Sequence, residues 1–187
     1  LKALAGADAL AGLVGNRHLA AWHVTLRQEP LPLVPTVDES ALPLLPKPAE
    51  GEEIAADYAS LGLSLRRHPL ALLRPRLTAL KLMTACEMQQ AAPGAQVRVA
   101  GLVINRQRPS SANNVTFVTL EDETGHVNLV VWKRLAERRR AALLGARLLG
   151  VSGAIQRESG VTHLVAKELT DYSELLGGLV IRSRDFQ

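Results

Sequence analysis

The chain is poor in cysteine: one thiol, Cys86, in 187 residues. That excludes a disulfide framework and any zinc site built on paired cysteines. It fits a reducing, cytoplasmic compartment, and Cys86 itself is expected as a small buried hydrophobe. Aromatics are nearly as scarce. Trp22, Tyr58, Phe117, Trp132, Tyr172 and Phe186 are the whole set, so any core must be aliphatic. No apolar run approaches the ~18 residues of a membrane-crossing helix, and no membrane partner is expected. The opening LKALAGADAL has neither an initiator Met nor a signal-peptide pattern, and the chain is expected to be a segment of something longer. Convergent acids are lacking too. Two-metal chemistry needs carboxylates that meet at one point, yet the six Asp are scattered with no Asp-x-Asp pair. Glu121-Asp122-Glu123 is the one dense acidic spot, and it is expected as a solvated turn. The five His show no i, i+4 pair, and there is no Gly-rich phosphate loop or nucleophile elbow. No catalytic residue, metal ligand or cofactor site is therefore expected in this segment.

What the chain does have is apolar material and arginine. The apolar fraction is 47%, enough for a core, and 22 basic side chains stand against 18 acidic ones for a formal charge of +4. The excess is not spread evenly. Residues 1–93 balance, while residues 94–187 carry thirteen basic and nine acidic side chains. Such asymmetry points to an anionic surface such as nucleic acid. Arg forks onto phosphate oxygens, although a GC-rich genome would favour Arg codons as well.

The period of the apolar residues divides the chain. Residues 1–27 read as helical, with Leu4, Ala7, Leu10 and Ala11 on one face of a helix over 2–12 and a second helix opened by Gly15-Asn16-Arg17. Two short helices around a Gly turn read as the end of a helix-hairpin-helix module. There the backbone N–H groups at Gly15, Asn16 and Arg17 would face a phosphate. The alternative is a plain helical hairpin with a Gly cap. Residues 28–50 hold six prolines, which predicts an extended linker. Residues 51–93 read as a helical connector, with Glu50, Glu52 and Glu53 where a first turn favours acids. It continues with a stretch from Leu70 to Leu80 interrupted at Pro75, and a turn of helix from Thr84 to Ala92. Pro93-Gly94 closes it.

From residue 94 the period becomes that of strands. VRVAGLVINR (97–106), VTFVTLE (115–121), HVNLVVW (126–132), residues 146–157 and residues 161–169 are five predicted strands, with a helix from Lys133 to Leu144 between the third and fourth. This order predicts a five-stranded OB-type β-barrel over 94–170, expected to fold independently, with a short tail over 171–187. Gly101 would let the first strand bend to serve both halves of the barrel. Single-strand-binding barrels combine a basic groove with stacking aromatics. The candidates are Arg106 and Arg108 on the first loop, Phe117 on the second strand, Trp132 and Lys133 after the third, and Arg157 at the last loop. Arg134, Arg138, Arg139 and Arg140 line the helix, either as a solvated face or as an interface to a partner.

The run VRVAGLVINRQRPSSANNVTFVTLEDETGHVNLVVWKRL, then GARLLGVSGAIQRESGVTHLVAKEL and a final SRDF, closely resembles the C-terminal region of bacterial error-prone C-family DNA polymerases. ADALAGLVGNRHLAAWHV resembles the end of that family's helix-hairpin-helix region, and DYASLGLSLRRHPLALLRPRL resembles its connector. The resemblance implies a parent enzyme that extends DNA across lesions, with magnesium in a polymerase core outside this chain. It also implies single-stranded or primer-template DNA, a Y-family-like adaptor protein, a RecA-like accessory protein and the sliding clamp as partners. Two roles stay open for this segment: handling single-stranded template, or acting purely as a docking module for the adaptor or clamp.

Overall fold

The structure, a computed structural model, describes residues 1–26, 45–109, 115–158, 160–177 and 184–186. Most of the predicted Pro-rich linker lies outside the described residues. The chain divides into two compact units, Leu1–Leu65 and Arg66–Gln187. The stretch expected as one connector, 51–93, falls on both sides of that division.

The first unit is helical. It comprises α1 (Lys2–Gly6), α2 (Ala11–Val14), α3 (Arg17–Leu26) and α4 (Glu50–Leu61). The single helix expected over 2–12 is instead two, because Asp8 takes a left-handed φ of 59° between them. Gly15, at φ 96°, ends α2. Asn16 then begins α3, its Oδ1 accepting from the Leu19 N–H at 3.0 Å. In α4 the Glu52 carboxylate accepts from the Ala49 N–H at 3.0 Å, and Gly62 in the left-handed region ends the helix. Ala5 of α1, Ala20 of α3 and Ile54 of α4 are the apolar side chains these helices bury.

The second unit is a closed five-stranded barrel with helices on it. Its elements are α5 (Pro69–Ala79), α6 (Ala85–Gln90), β1 (Gln96–Gln107), β2 (Thr116–Asp122), β3 (Gly125–Val131), α7 (Lys133–Arg138), α8 (Arg140–Gly145), β4 (Leu148–Glu158), β5 (Val161–Asp171), a 3-10 helix (Ser173–Leu176) and the short β6 (Arg184–Phe186). β1 pairs antiparallel with both β2 and β4, β2 with β3, and β4 with β5; β3 and β5 close the circle in parallel. β6 adds a parallel strand beside Asn105–Gln107. β1 changes partner at its middle, from β4 before Leu102 to β2 after it. Gly101 permits the crossing, since a Cβ there would sit 2.8 Å from Leu120 Cβ and 3.0 Å from the Glu121 carbonyl oxygen.

The barrel core is aliphatic. It is built from alternate residues such as Val97, Val99, Val118, Leu120, Leu129, Val151 and Leu164. The helices supply the rest: Ala85 and Met88 from α6, Leu135 from α7 and Leu143 from α8. The helix predicted over Lys133–Leu144 breaks at Arg139, which ends α7 and begins α8. α5 runs through Pro75 without interruption. Its N-cap is His68, whose Nδ1 accepts from the Leu70 N–H at 3.1 Å.

The acidic turn is not solvated, and that expectation is corrected. Asp122 is buried. Its Oδ1 accepts from Thr124 N and Oγ1, both at 2.7 Å, and from Gly125 N at 3.1 Å. Its Oδ2 accepts from the Ala85 N–H at 2.7 Å and from Arg74 at 3.2 Å. Arg74 forks onto Glu123 as well. The turn thus bolts α5 and α6 to the β2–β3 hairpin, and buried carboxylates persist only when paired in this way. Cys86, expected inside, is exposed, while its neighbours Ala85 and Met88 take the inward positions.

Candidate nucleic-acid interface

Alternation along the strands decides which side chains leave the barrel. On β2, Val118 and Leu120 point inward, so Phe117 and Thr119 point outward, with Phe117 37% exposed. Phe117 lies opposite Val130 of β3 and Gln107 of β1. Trp132 follows β3 directly, is 54% exposed and N-caps α7. These two aromatics face solvent in a chain that has few, and an exposed ring is what a base can stack on. Lys133 is exposed beside them, 4.0 Å from Glu137 one turn on.

Arg106 is not where the sequence placed it. It lies within β1, buried, with Nε donating to the Leu143 carbonyl at 2.7 Å and a second nitrogen donating to the Ala146 carbonyl. The cause is a bulge between Val103 and Asn105. An extra residue reverses the in–out phase of a strand, so Arg106 joins the side of Val99 and Val103 while Asn105 and Gln107 turn outward. Burial of its cation is matched by the two carbonyls at the end of α8, where a helix presents unpaired acceptors. Arg108 is exposed just past the strand.

The remaining arginines divide. Arg157 is exposed but donates to the carbonyls of Gln89 and Ala91, the latter at 3.0 Å, which ties β4 to the end of α6. Arg138 donates to the Lys167 carbonyl at 3.3 Å, and Arg139 pairs with Glu168 at 2.8 Å. Arg134 and Arg140 are exposed. In the helical unit Arg17 is buried, paired with Asp57 and 3.6 Å from Glu53. It ties α3 to α4. Asn16 spends its carbonyl on capping α3. Among the described residues no group of three or more His, Cys, Asp or Glu stands together as metal ligands. Asp122 is bonded by Arg74 and backbone N–H groups, and Glu123 by Arg74.

Sequence reasoning missed the polar outward row beside Phe117: Asn105, Thr119, Asn128, His163 and Gln156. They lie on five strands, and only the register brings them together.

A family model described as an OB-fold nucleic acid binding domain matches residues 97–172. Over all of its 187 residues the chain is 56% identical to an error-prone DNA polymerase of Alkalilimnicola ehrlichii. It is 56% identical to the one of Methylococcus capsulatus, and 50% identical over 98% of its length to the one of Xanthomonas campestris pv. campestris. The chain is homologous, end to end, to error-prone DNA polymerases. It spans 18% of the first two relatives and 17% of the third. Among solved structures, asparaginyl-tRNA synthetase from Pyrococcus horikoshii is similar to 42% of this chain and 20% of its own, at 27% identity and a TM-score of 0.36. The error-prone polymerase relatives account for both units, the barrel and the helices before it.

Proposed function

We propose that this chain is a non-catalytic region of an error-prone translesion DNA polymerase, whose barrel holds single-stranded template on its outer face. The observation that carries the reading is Phe117, exposed on the outer face of β2 with Trp132 beyond it, in a fold family of nucleic acid binders. In the parent protein, magnesium-dependent nucleotide transfer belongs to the rest of the chain, and the setting is cytoplasmic damage-induced mutagenesis. The helices around Gly15, Asn16 and Arg17 then act as the end of a helix-hairpin-helix, with the backbone N–H groups of Asn16 and Arg17 toward a phosphate, since that of Gly15 donates to the Ala11 carbonyl at 2.8 Å. Titration of fluorescent single-stranded DNA tests the barrel. Phe117→Ala with Trp132→Ala should weaken binding about tenfold or more, from the ~1–3 kcal/mol that one base–aromatic stack contributes. Undiminished binding by the folded double variant would move the site off this face.

A second reading, docking of the Y-family-like adaptor, the RecA-like protein or the clamp, is favoured by a different surface. α7 and α8 present Arg134 and Arg140 to solvent, with Arg138 and Arg139 beside them bonded to β5. A rim of this charge suits an acidic partner.

A further inference from the structure

Five outward side chains, one from each barrel strand, fall in a single register row. Asn105 of β1 lies opposite Thr119 of β2, Thr119 opposite Asn128 of β3, Asn128 opposite His163 of β5, and His163 opposite Gln156 of β4. Paired residues in a sheet carry their side chains to the same face. The row is therefore a continuous band of three amides, a hydroxyl and an imidazole. The next row along is Gln107, Phe117, Val130, Val165 and Ala154, apolar after its first member. Neither row contains an Asp, Glu, Lys or Arg. Arg106, which the strand could have added, is turned inward by the bulge.

Amide and hydroxyl groups can hydrogen-bond a phosphate, but phosphate binding draws most of its affinity from cations, and these rows offer none. They offer an aromatic ring and amide edges, which are the groups that read bases. Two atoms of the polar row have no hydrogen-bond partner: Asn105 Oδ1 and His163 Nδ1. Both side chains are half-buried, and both atoms are turned from water. A polar atom left in that condition costs free energy, and a side-chain rotation that hands it to a ligand group recovers that cost.

We propose that the barrel reads bases rather than phosphates across these two rows, and that Asn105 selects bases carrying an exocyclic amine. The proposal rests on the single-strand reading above. Cytosine presents an N4 amine where thymine presents the O4 carbonyl. Asn105 Oδ1, the amide atom without a partner, accepts from the first and is repelled by the second, whose pairing would require the amide to turn over so that Nδ2 donates. The two pyrimidines are close in size, so stacking on Phe117 discriminates little between them.

The test is fluorescence anisotropy of the whole 187-residue chain with labelled oligo(dC) and oligo(dT) of about 12 nucleotides, within the ~4–16 that one such barrel covers. Oligo(dC) should bind roughly fivefold or more tightly, the worth of about one hydrogen bond, and the ratio should hold as salt is raised. Asn105→Leu should bring the ratio to one. Asn128→Leu, in the same row, should lower it and serves as the second variant if Asn105→Leu does not fold. Phe117→Ala should weaken both oligonucleotides alike and leave the ratio in place. Equal binding of the two by the unaltered chain, tighter binding of oligo(dT), or a ratio that survives both row variants would overturn the base-reading proposal while leaving single-strand binding intact. Binding of neither oligonucleotide at any salt concentration would remove the single-strand reading and this proposal with it.

Discussion

Arg106 shows how one inserted residue changes a side chain's task. Its guanidinium satisfies two buried carbonyls, Leu143 and Ala146, and an unmet buried acceptor costs ~1–3 kcal/mol. Arg106→Ala should therefore lower the unfolding free energy of the barrel by about 2–4 kcal/mol, read from urea denaturation. Arg108→Ala, on an exposed position, should stay within about 0.5 kcal/mol. A sequence shows alternation but not bulges, so Arg106 looked like a loop cation while the true phase shift sat two residues earlier, at Ile104. Asp122 escaped for a related reason: its partners Arg74 and Ala85 are distant in sequence, and a lone acidic turn looks the same whether wet or bolted. His68 offers a second test at this scale. Burial holds its imidazole below the usual histidine value of about 6.5, against the opposing pull of Glu121, Glu123 and Asp122. Its neutral Nδ1 is the N-cap acceptor of α5. The unfolded chain thus binds a proton that the folded chain refuses, and stability is full above pH ~6.5 and falls as pH drops below it. Thermal melts between pH 7.5 and 5.5 should show this loss. His68→Asn keeps an N-cap acceptor and should flatten the dependence over that range.

At the scale of elements, α5 and α6 belong to the barrel. α6 places Ala85 and Met88 in its core, and Arg74 of α5 neutralises Asp122 and Glu123. Met83 forms a bridge with Val99 of β1. A fragment 94–187, which the change of period at Pro93-Gly94 suggests, would lose all of these. Removing a buried Met side chain alone typically costs ~2–5 kcal/mol, and stranding a buried carboxylate adds to that. Fragment 66–187 should unfold in one cooperative urea transition. Fragment 94–187 should be at least about 3 kcal/mol less stable, or fail to fold; equal midpoints would show that the helices are dispensable. The strands themselves were legible in the sequence because turn residues punctuate them: Gly125 and Gly160 fall where positive φ is required. The two helices were expected as helical stretches, and the structure shows what starts them: the Thr84–Glu87 capping box for α6 and Pro69 in the first turn of α5. Their attachment was not legible, since docking depends on pairings 37 to 49 residues apart.

For the whole molecule, the way the barrel closes sets when it can close. Gln96 pairs with Ala154 and Leu102 with Leu148, so the first strand waits for the fourth. The β2–β3 hairpin, by contrast, pairs Asp122 with Gly125 across its turn and can zip at once. Pairings of long sequence separation carry a loop-closure cost before they reward the chain. During synthesis, β1 therefore leaves the ribosome with one edge unmatched until some fifty further residues follow it. That edge, rich in Val and Leu, is the place where a stalled or truncated chain would seek a strand from another molecule. The geometry that gives the finished barrel a continuous outer face makes its assembly a late and all-or-none event.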